Sequence, residues 1–252
     1  MTERDMLRIA MEQSAEDMGC AAEDFLAEEN VLVPYRMGEG ARRYLKAPIT
    51  CSMATYGSNV VAAVAEDLSD LVAEYLGRYT FYQCFEVPAI HWLNECLARR
   101  GYKICRMAEY WLPGKDRIPE LKCAYETRVL GQEDFAELYL PEWGNALCAD
   151  RRQLDVLGVG AYDGDRLVGL AGCSADCEDM WQIGVDVLPP WRRRGIASAL
   201  TAKLAGEILD RGKVPFYSLA WSNIRSARNA VRSGFIPAWA EMSVRPEEYV
   251  QY

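Results

Sequence analysis

The sequence predicts a mixed α/β chain of the α+β kind, on three observations. Alternating apolar runs interleave with stretches of helical spacing along all 252 residues. Val156 to Asp163 and Arg166 to Cys173 alternate on either side of Asp163-Gly164, which is the turn chemistry of a β-hairpin. From Val185 to Ala199 the chain reads VDVLPPWRRRGIASA. There a strand (Ile183, Val185, Val187) stops at Leu188-Pro189-Pro190, and a helix runs from Ser198 to Leu209.

That third stretch carries chemistry. The first N–H groups of a helix have no intrahelical partner and sit at the positive end of its dipole, so they attract anionic oxygens. Gly195 and Ala197 are small enough for a phosphate to approach those groups, and Arg192, Arg193 and Arg194 add positive charge. Residues Arg192 to Ser198, Ile196 included, therefore read as a pyrophosphate cradle. The turn is not a Walker A loop, since no Gly-Lys-Ser/Thr follows, and it lacks the three spaced glycines of a dinucleotide fingerprint.

Arg192-x-x-Gly195-x-Ala197 after the Val187-Leu188-Pro189 strand end resembles the acyl-CoA signature of the GNAT superfamily of N-acetyltransferases. Two further blocks fall in the superfamily's order. The hairpin lies upstream. Downstream, a strand from Val214 to Ala220 precedes Asn223-x-x-Ser226, a short helix and Gly234-Phe235. The resemblance covers about residues 122–252 and implies a mixed, mostly antiparallel sheet flanked by helices. It also implies acetyl-CoA as acyl donor, no metal, and a primary amine on a small molecule or peptide as acceptor, attacking directly in a ternary complex.

Site residues follow from the same resemblance. Backbone groups of Val185 and Val187 pair with the pantetheine arm, and the cradle holds the diphosphate. Asn223 begins the last helix and contacts the arm or caps the helix, and Ser226 lies one turn on. Two positions depart from the family. The tyrosine that many members carry seven residues after that asparagine is Ala230 here, which leaves Tyr217 as the candidate acid. The glutamate base of some members corresponds to Trp181 or Gln182, so Glu178 and Asp179, with Asp186 behind them, become the candidate bases. A proton lost to water is the alternative.

Composition sets the outer limits. A net charge of −9 argues against nucleic acid or an anionic membrane as partner. No apolar run is long enough to span a bilayer, and the N-terminus has no signal-peptide core, so the expected location is cytoplasmic. Nine scattered cysteines without a C-x-x-C pair, and a single histidine, His91, give no disulfide framework and no metal site. Trp143, Trp181, Trp191 and Trp221 read as packing residues. The oligomeric state is open, a homodimer being one form.

Taken in order, the first half opens with Thr2 and Asp5 as an N-cap pair before a helix running to about Met18, continued helically over Glu23 to Glu29 after Gly19-Cys20. A loop over 30–48 with room for a short strand comes next, followed by strands Thr50–Tyr56 and Asn59–Ala65 joined through Gly57-Ser58. Helices Leu68–Leu76 and Pro88–Arg99 lead through Gly101 to a strand, Tyr102–Trp111. Leu112 to Pro119 is the best linker, which gives domains 1–115 and 116–252. Beyond it come a strand, Cys123–Leu130, and helices over Gln132–Leu138 and Trp143–Leu154. Leu97-Ala-Arg-Arg-Gly101-Tyr102 parallels Val231-Arg-Ser-Gly234-Phe235, so the first half reads as a degenerate GNAT-like repeat without a cradle. In this the chain resembles an uncharacterised bacterial group of GNAT acetyltransferase-like proteins. The leading function is an acetyl-CoA-dependent N-acetyltransferase. Its rival is a non-catalytic acyl-CoA-binding or sensing protein.

Overall fold

The computed structural model describes residues 1–43, 48–114 and 118–250. By internal contacts the chain forms two compact units. One comprises Arg8–Tyr110 with Ala238–Tyr252, and the other Met1–Leu7 with Trp111–Pro237. The expected division at 115/116 falls at residues 115–117, which lie outside the described residues, as does the middle of the expected linker. Both ends of the chain depart from consecutive halves: Met1–Leu7 groups with the second half, and the last strand from Ala238 onward groups with the first, where Met242 and Val244 find their apolar partners.

Helix α1 (Glu3–Met18), most of which lies in the first unit, is opened by Thr2, whose Oγ1 accepts from the Asp5 N–H at 3.2 Å while Asp5 Oδ2 accepts from the Thr2 N–H at 2.9 Å. The expected helical continuation is only a 3-10 turn, Ala22–Leu26. Strands β1 (Val31–Pro34), β2 (Cys51–Thr55) and β3 (Val61–Val64) follow, then α2 (Ser69–Arg78), α3 (Val87–Ala98) and β4 (Tyr102–Pro113). β1 runs parallel to β3, and β2 pairs antiparallel with β3. The chain's last strand, β10 (Phe235–Pro246), lies antiparallel to β2 with Met242 opposite Met53 and Val244 opposite Cys51. These four residues share a face and pack with Leu71, Val72 and Tyr75 of α2 and Leu93 and Leu97 of α3. Ser52 and Ser243, one position along, face the other way. On β10, Glu241 accepts from Arg42 at 2.6 Å, and Arg42 is also paired with Asp17 of α1.

The second unit holds β5 (Glu126–Gly131), β6 (Asp155–Asp163), β7 (Arg166–Ser174), β8 (Met180–Val187), α4 (Ile196–Asp210), β9 (Val214–Leu219) and α5 (Ile224–Arg232). Its sheet has the order β9-β8-β7-β6-β5. All pairs are antiparallel except β8 with β9, which is parallel and reached by the α4 crossover. The hairpin turns at Asp163-Gly164 as expected. Ile196, Leu200, Leu204 and Ile208 of α4 pack on Val159, Ala161, Val168, Ala171 and Ile183. Leu170, next to Ala171 and so on the opposite face, packs instead with Phe135, Trp143 and Leu147.

The helices expected over Gln132–Leu138 and Trp143–Leu154 are instead 3-10 turns at Gln132–Phe135, Pro141–Trp143 and Ala149–Leu154. Pro141 removes a donor, Arg151 leaves helical geometry, and the segment has to lower its backbone onto the sheet. Gly101 and Gly234, paired in the sequence reading, both adopt left-handed φ, 79° and 88°, between a helix and a strand that starts on an aromatic residue.

Candidate functional site

The site begins where two parallel strands part. β8 and β9 are in register only over Met180–Gln182 and Val214–Phe216. Past that point β8 continues to Val187 with no strand paired on that side among the described residues, and the Gln182 amide donates to Ser218 Oγ at 2.8 Å across the start of the gap. Backbone direction alternates along a strand. The Leu188 N–H donates to Val168 on β7 at 3.0 Å, and the Asp179 carbonyl accepts from Val214 at 2.8 Å. Odd-numbered residues of β8 therefore present their N–H and C=O groups to the gap, and Val185 and Val187 are two of them.

At the end of β8 a 3-10 turn, Pro189–Trp191, leads into Arg192, Arg193, Arg194 and Gly195, all exposed. Arg193 is the one non-glycine with positive φ among the described residues, at 63°, and Gly195 follows at 78° as the N-cap of α4. These two left-handed residues, on either side of Arg194, turn the chain from the end of β8 into α4. Ala199 donates back to the Gly195 carbonyl at 3.1 Å, which leaves the preceding N–H groups of the first turn outside the helical ladder. A Cβ placed on Gly195 would meet nothing within 4 Å, so the space in front of those groups is open.

The arginines are not equivalent. Arg192 Nε donates to the Val187 carbonyl at 2.8 Å and braces the turn, while Arg194 donates to the Tyr125 hydroxyl at 2.5 Å. Ile196 anchors the helix in the core. Ala197 is half-buried, and Ser198, 7% exposed, spends its hydroxyl on Asn229 Oδ1 at 3.1 Å. Sequence reasoning missed Asn229, since nothing in the sequence distinguishes it from a solvated polar residue. It also donates to Thr201 Oγ1 at 3.0 Å and so ties α5 to α4.

Asn223 caps α5, its Oδ1 accepting from the Ser226 N–H at 3.2 Å. Tyr217 lies on β9 beyond the point of divergence, buried against Phe235. Burial pushes its pKa up, so it keeps its proton.

The acidic candidates are not brought to this gap. Glu178 and Asp179 precede β8, where the strands are still paired, and Asp179 bonds Lys213 at 3.1 Å. At about 3.3 Å per residue they stand roughly 25 Å from the cradle end of the strand. Asp186 lies beside the gap, but its oxygens accept from the Asn145 N–H, the Asn145 side-chain amide and the Ala146 N–H at 2.8, 2.6 and 3.0 Å. It is a clamp for the 145–146 backbone. Gly184 and Gly172 make that approach possible: a Cβ there would stand 1.8 Å from the Asn145 carbonyl oxygen and 2.2 Å from that of Ala146.

Among the described residues no group of three or more His, Cys, Asp or Glu could hold a metal, and no helix is long and apolar enough to cross a membrane. All nine cysteines are free thiols.

Residues 115–235 match the model of the acetyltransferase (GNAT) family. No curated protein matches the chain. Among solved structures, a GNAT-family chain from Novosphingobium aromaticivorans is 20% identical over 57% of this chain and 66% of its own, with a TM-score of 0.45. An acetyltransferase of the GNAT family from Colwellia psychrerythraea is 16% identical over 56% of each chain, with a TM-score of 0.40. An aminoglycoside N-acetyltransferase in complex with CoA is 19% identical over 45% of this chain and 92% of its own, with a TM-score of 0.36. The chain thus spans less than two thirds of the length of the first two. With TM-scores below 0.5, none of the three adds weight to the family match.

Proposed function

We propose that residues 115–235, which match the acetyltransferase (GNAT) family model, form a domain that transfers an acetyl group from acetyl-CoA to a primary amine. The observation that supports this best is the continuity of the open β8 edge with the cradle. A strand that has lost its neighbour offers a row of backbone donors and acceptors to an extended amide-containing arm. The turn at its end offers the first N–H groups of α4, three arginines and open space to a diphosphate. Bound there, the coenzyme supplies an activated acyl thioester.

The chain's own contributions follow from its geometry. Val185 and Val187 align the arm, and residues Arg192 to Ser198 hold the phosphates. Asn223 and Ser226, at the start of α5, flank the gap from the β9 side. Tyr217, protonated and set beyond the divergence, is our candidate acid for the leaving thiolate. For the base, Asp186 is saturated by three donors, and Glu178 and Asp179 lie on the paired side of the strands. We therefore favour loss of the amine proton to water. Nine free thiols suit a reducing cytosol, where we place the reaction. The matching left-handed glycines 101 and 234 favour reading the first unit as a degenerate GNAT-like half.

A second reading, acyl-CoA binding or sensing without turnover, draws on Ala230 in the place of the family's tyrosine and on the absence of a free carboxylate on β8 and β9. Incubation of acetyl-CoA with a panel of amines, following release of free CoA, separates the two. Amine-dependent release supports transfer, whereas tight binding without release supports sensing.

A further inference from the structure

The first unit holds a cavity of about 540 Å3 that the proposed reaction does not use. It lies between the C-terminal turns of α2 and the residues that lead into and open β1. Leu32, Ala73, Leu76 and Phe81 give it an apolar wall, and the exposed Glu28 and Glu29 line it as well. Amide side chains fix its frame. Asn30 Nδ2 donates to the Leu76 carbonyl at 3.0 Å while its Oδ1 accepts from the Val60 N–H at 2.9 Å, and the Asn59 amide donates to the Glu29 carbonyl at 2.9 Å. These bonds tie α2, the start of β3 and the acidic segment together, so the space between them is built into the unit.

Charge gives the cavity a sign. Among the described residues neither Glu28 nor Glu29 has an ion-pair partner, and no lysine or arginine lines the space. The C-terminal end of α2 adds the negative pole of its dipole. Arg78, the basic residue of its last turn, is turned onto the rings of Tyr79 and Trp92, 5.7 and 5.1 Å from their centroids. A space of this size, apolar on one side and anionic on another, suits a small cation with a hydrocarbon body. The edge of β1 does not suit a peptide strand. Val31 and Tyr35 donate inward to the Val60 and Val64 carbonyls, which leaves Leu32 and Pro34 facing outward, and Pro34 has no N–H.

We propose that this cavity binds a primary ammonium carried on a short alkyl or aryl chain. Its binding does not depend on the coenzyme reading, since every residue involved belongs to the first unit. Two exposed carboxylates attract a cation weakly and are screened, so together they strengthen binding by about fivefold, an effect that shrinks as salt is raised.

The test is methyl NMR titration of the full chain with hexylammonium and with hexan-1-ol, in wild type, in Glu28→Gln/Glu29→Gln and in Gly77→Leu. Gly77 lines the cavity, and a Cβ there would meet nothing within 4 Å, so the leucine grows into the open space while favouring the helix over glycine. The expected result is saturable shifts of the Leu32, Ala73 and Leu76 methyls with hexylammonium in wild type, and about fivefold weaker binding of hexan-1-ol. The double glutamine variant should bind hexylammonium about fivefold more weakly, and Gly77→Leu should lose it at a melting temperature no lower than that of wild type. Absence of those shifts in wild type, equal affinity for hexan-1-ol, or hexylammonium affinity unchanged in either variant would overturn the proposal.

Discussion

Each side chain at the site has a local job that decides what its removal does. Gly195 holds a left-handed conformation in front of open space. A glutamate there is strained by the backbone and brings negative charge to the phosphate position, so Gly195→Glu loses CoA binding while α4 stays anchored by Ile196 and Leu200. Arg192 braces the turn through Val187, and Arg192→Ala weakens CoA by roughly tenfold, measured by titration. Tyr217→Phe tests the acid. The account predicts a lower turnover rate at an unchanged CoA dissociation constant. Unchanged turnover would return Tyr217 to a purely structural role.

At the scale of elements, the segment of 3-10 turns that crosses the sheet carries two predictions. Gly184→Ala forces a Cβ into the Asn145 carbonyl, and the segment has to lift from β8, at a cost of about 2 kcal/mol or more by denaturant titration. Asp155, at the start of β6, is 1% exposed, and burial raises its carboxyl to about 6 against the Cys148 N–H bond that favours the charge. Its folded pKa lies above its unfolded one, so its contribution is complete below about pH 4 and is lost as the pH rises through 6. Asp155→Asn keeps the acceptor for Cys148 and removes that loss. Thermal melts between pH 4 and 7 should show wild type losing up to about 3 kcal/mol that the variant keeps.

The elements also show what the sequence disclosed. Strands with clean alternation, such as the hairpin around Asp163-Gly164 and the β2–β3 pair, were legible because period and turn chemistry agreed. The strand end, turn and helix start from Val185 to Ser198 were legible because Gly195 and the preceding prolines are demanded by the backbone itself. The turns between 132 and 154 were not, since their apolar residues have helical spacing while Pro141 and the approach to Gly172 and Gly184 forbid a helix. The Asp186 clamp and the Asn229 tie were hidden for a related reason. Each is a polar side chain whose partners lie 28 to 41 residues away.

For the whole molecule, the departure from consecutive halves matters most. The final strand starts in one unit at Phe235 and continues into the other from Ala238, where Met242 and Val244 are buried beside β2. A fragment of residues 116–252 would leave Trp239, Met242 and Val244 without that neighbour. It should be less soluble and less stable than the full chain, as size-exclusion and melting measurements would show. Since a ligand that binds only the folded state stabilises it by mass action, acetyl-CoA should raise the melting temperature of the full chain in a concentration-dependent way.

The central claim is that the turn from Arg192 to Ser198 is a coenzyme cradle rather than an ordinary helix start. Isothermal titration of CoA into wild type and into Gly195→Glu, each first shown to be folded by circular dichroism, tests it most directly. The account predicts saturable binding to wild type and none to the variant at millimolar coenzyme. Equal affinity in the two folded proteins, or no binding to wild type, would contradict it.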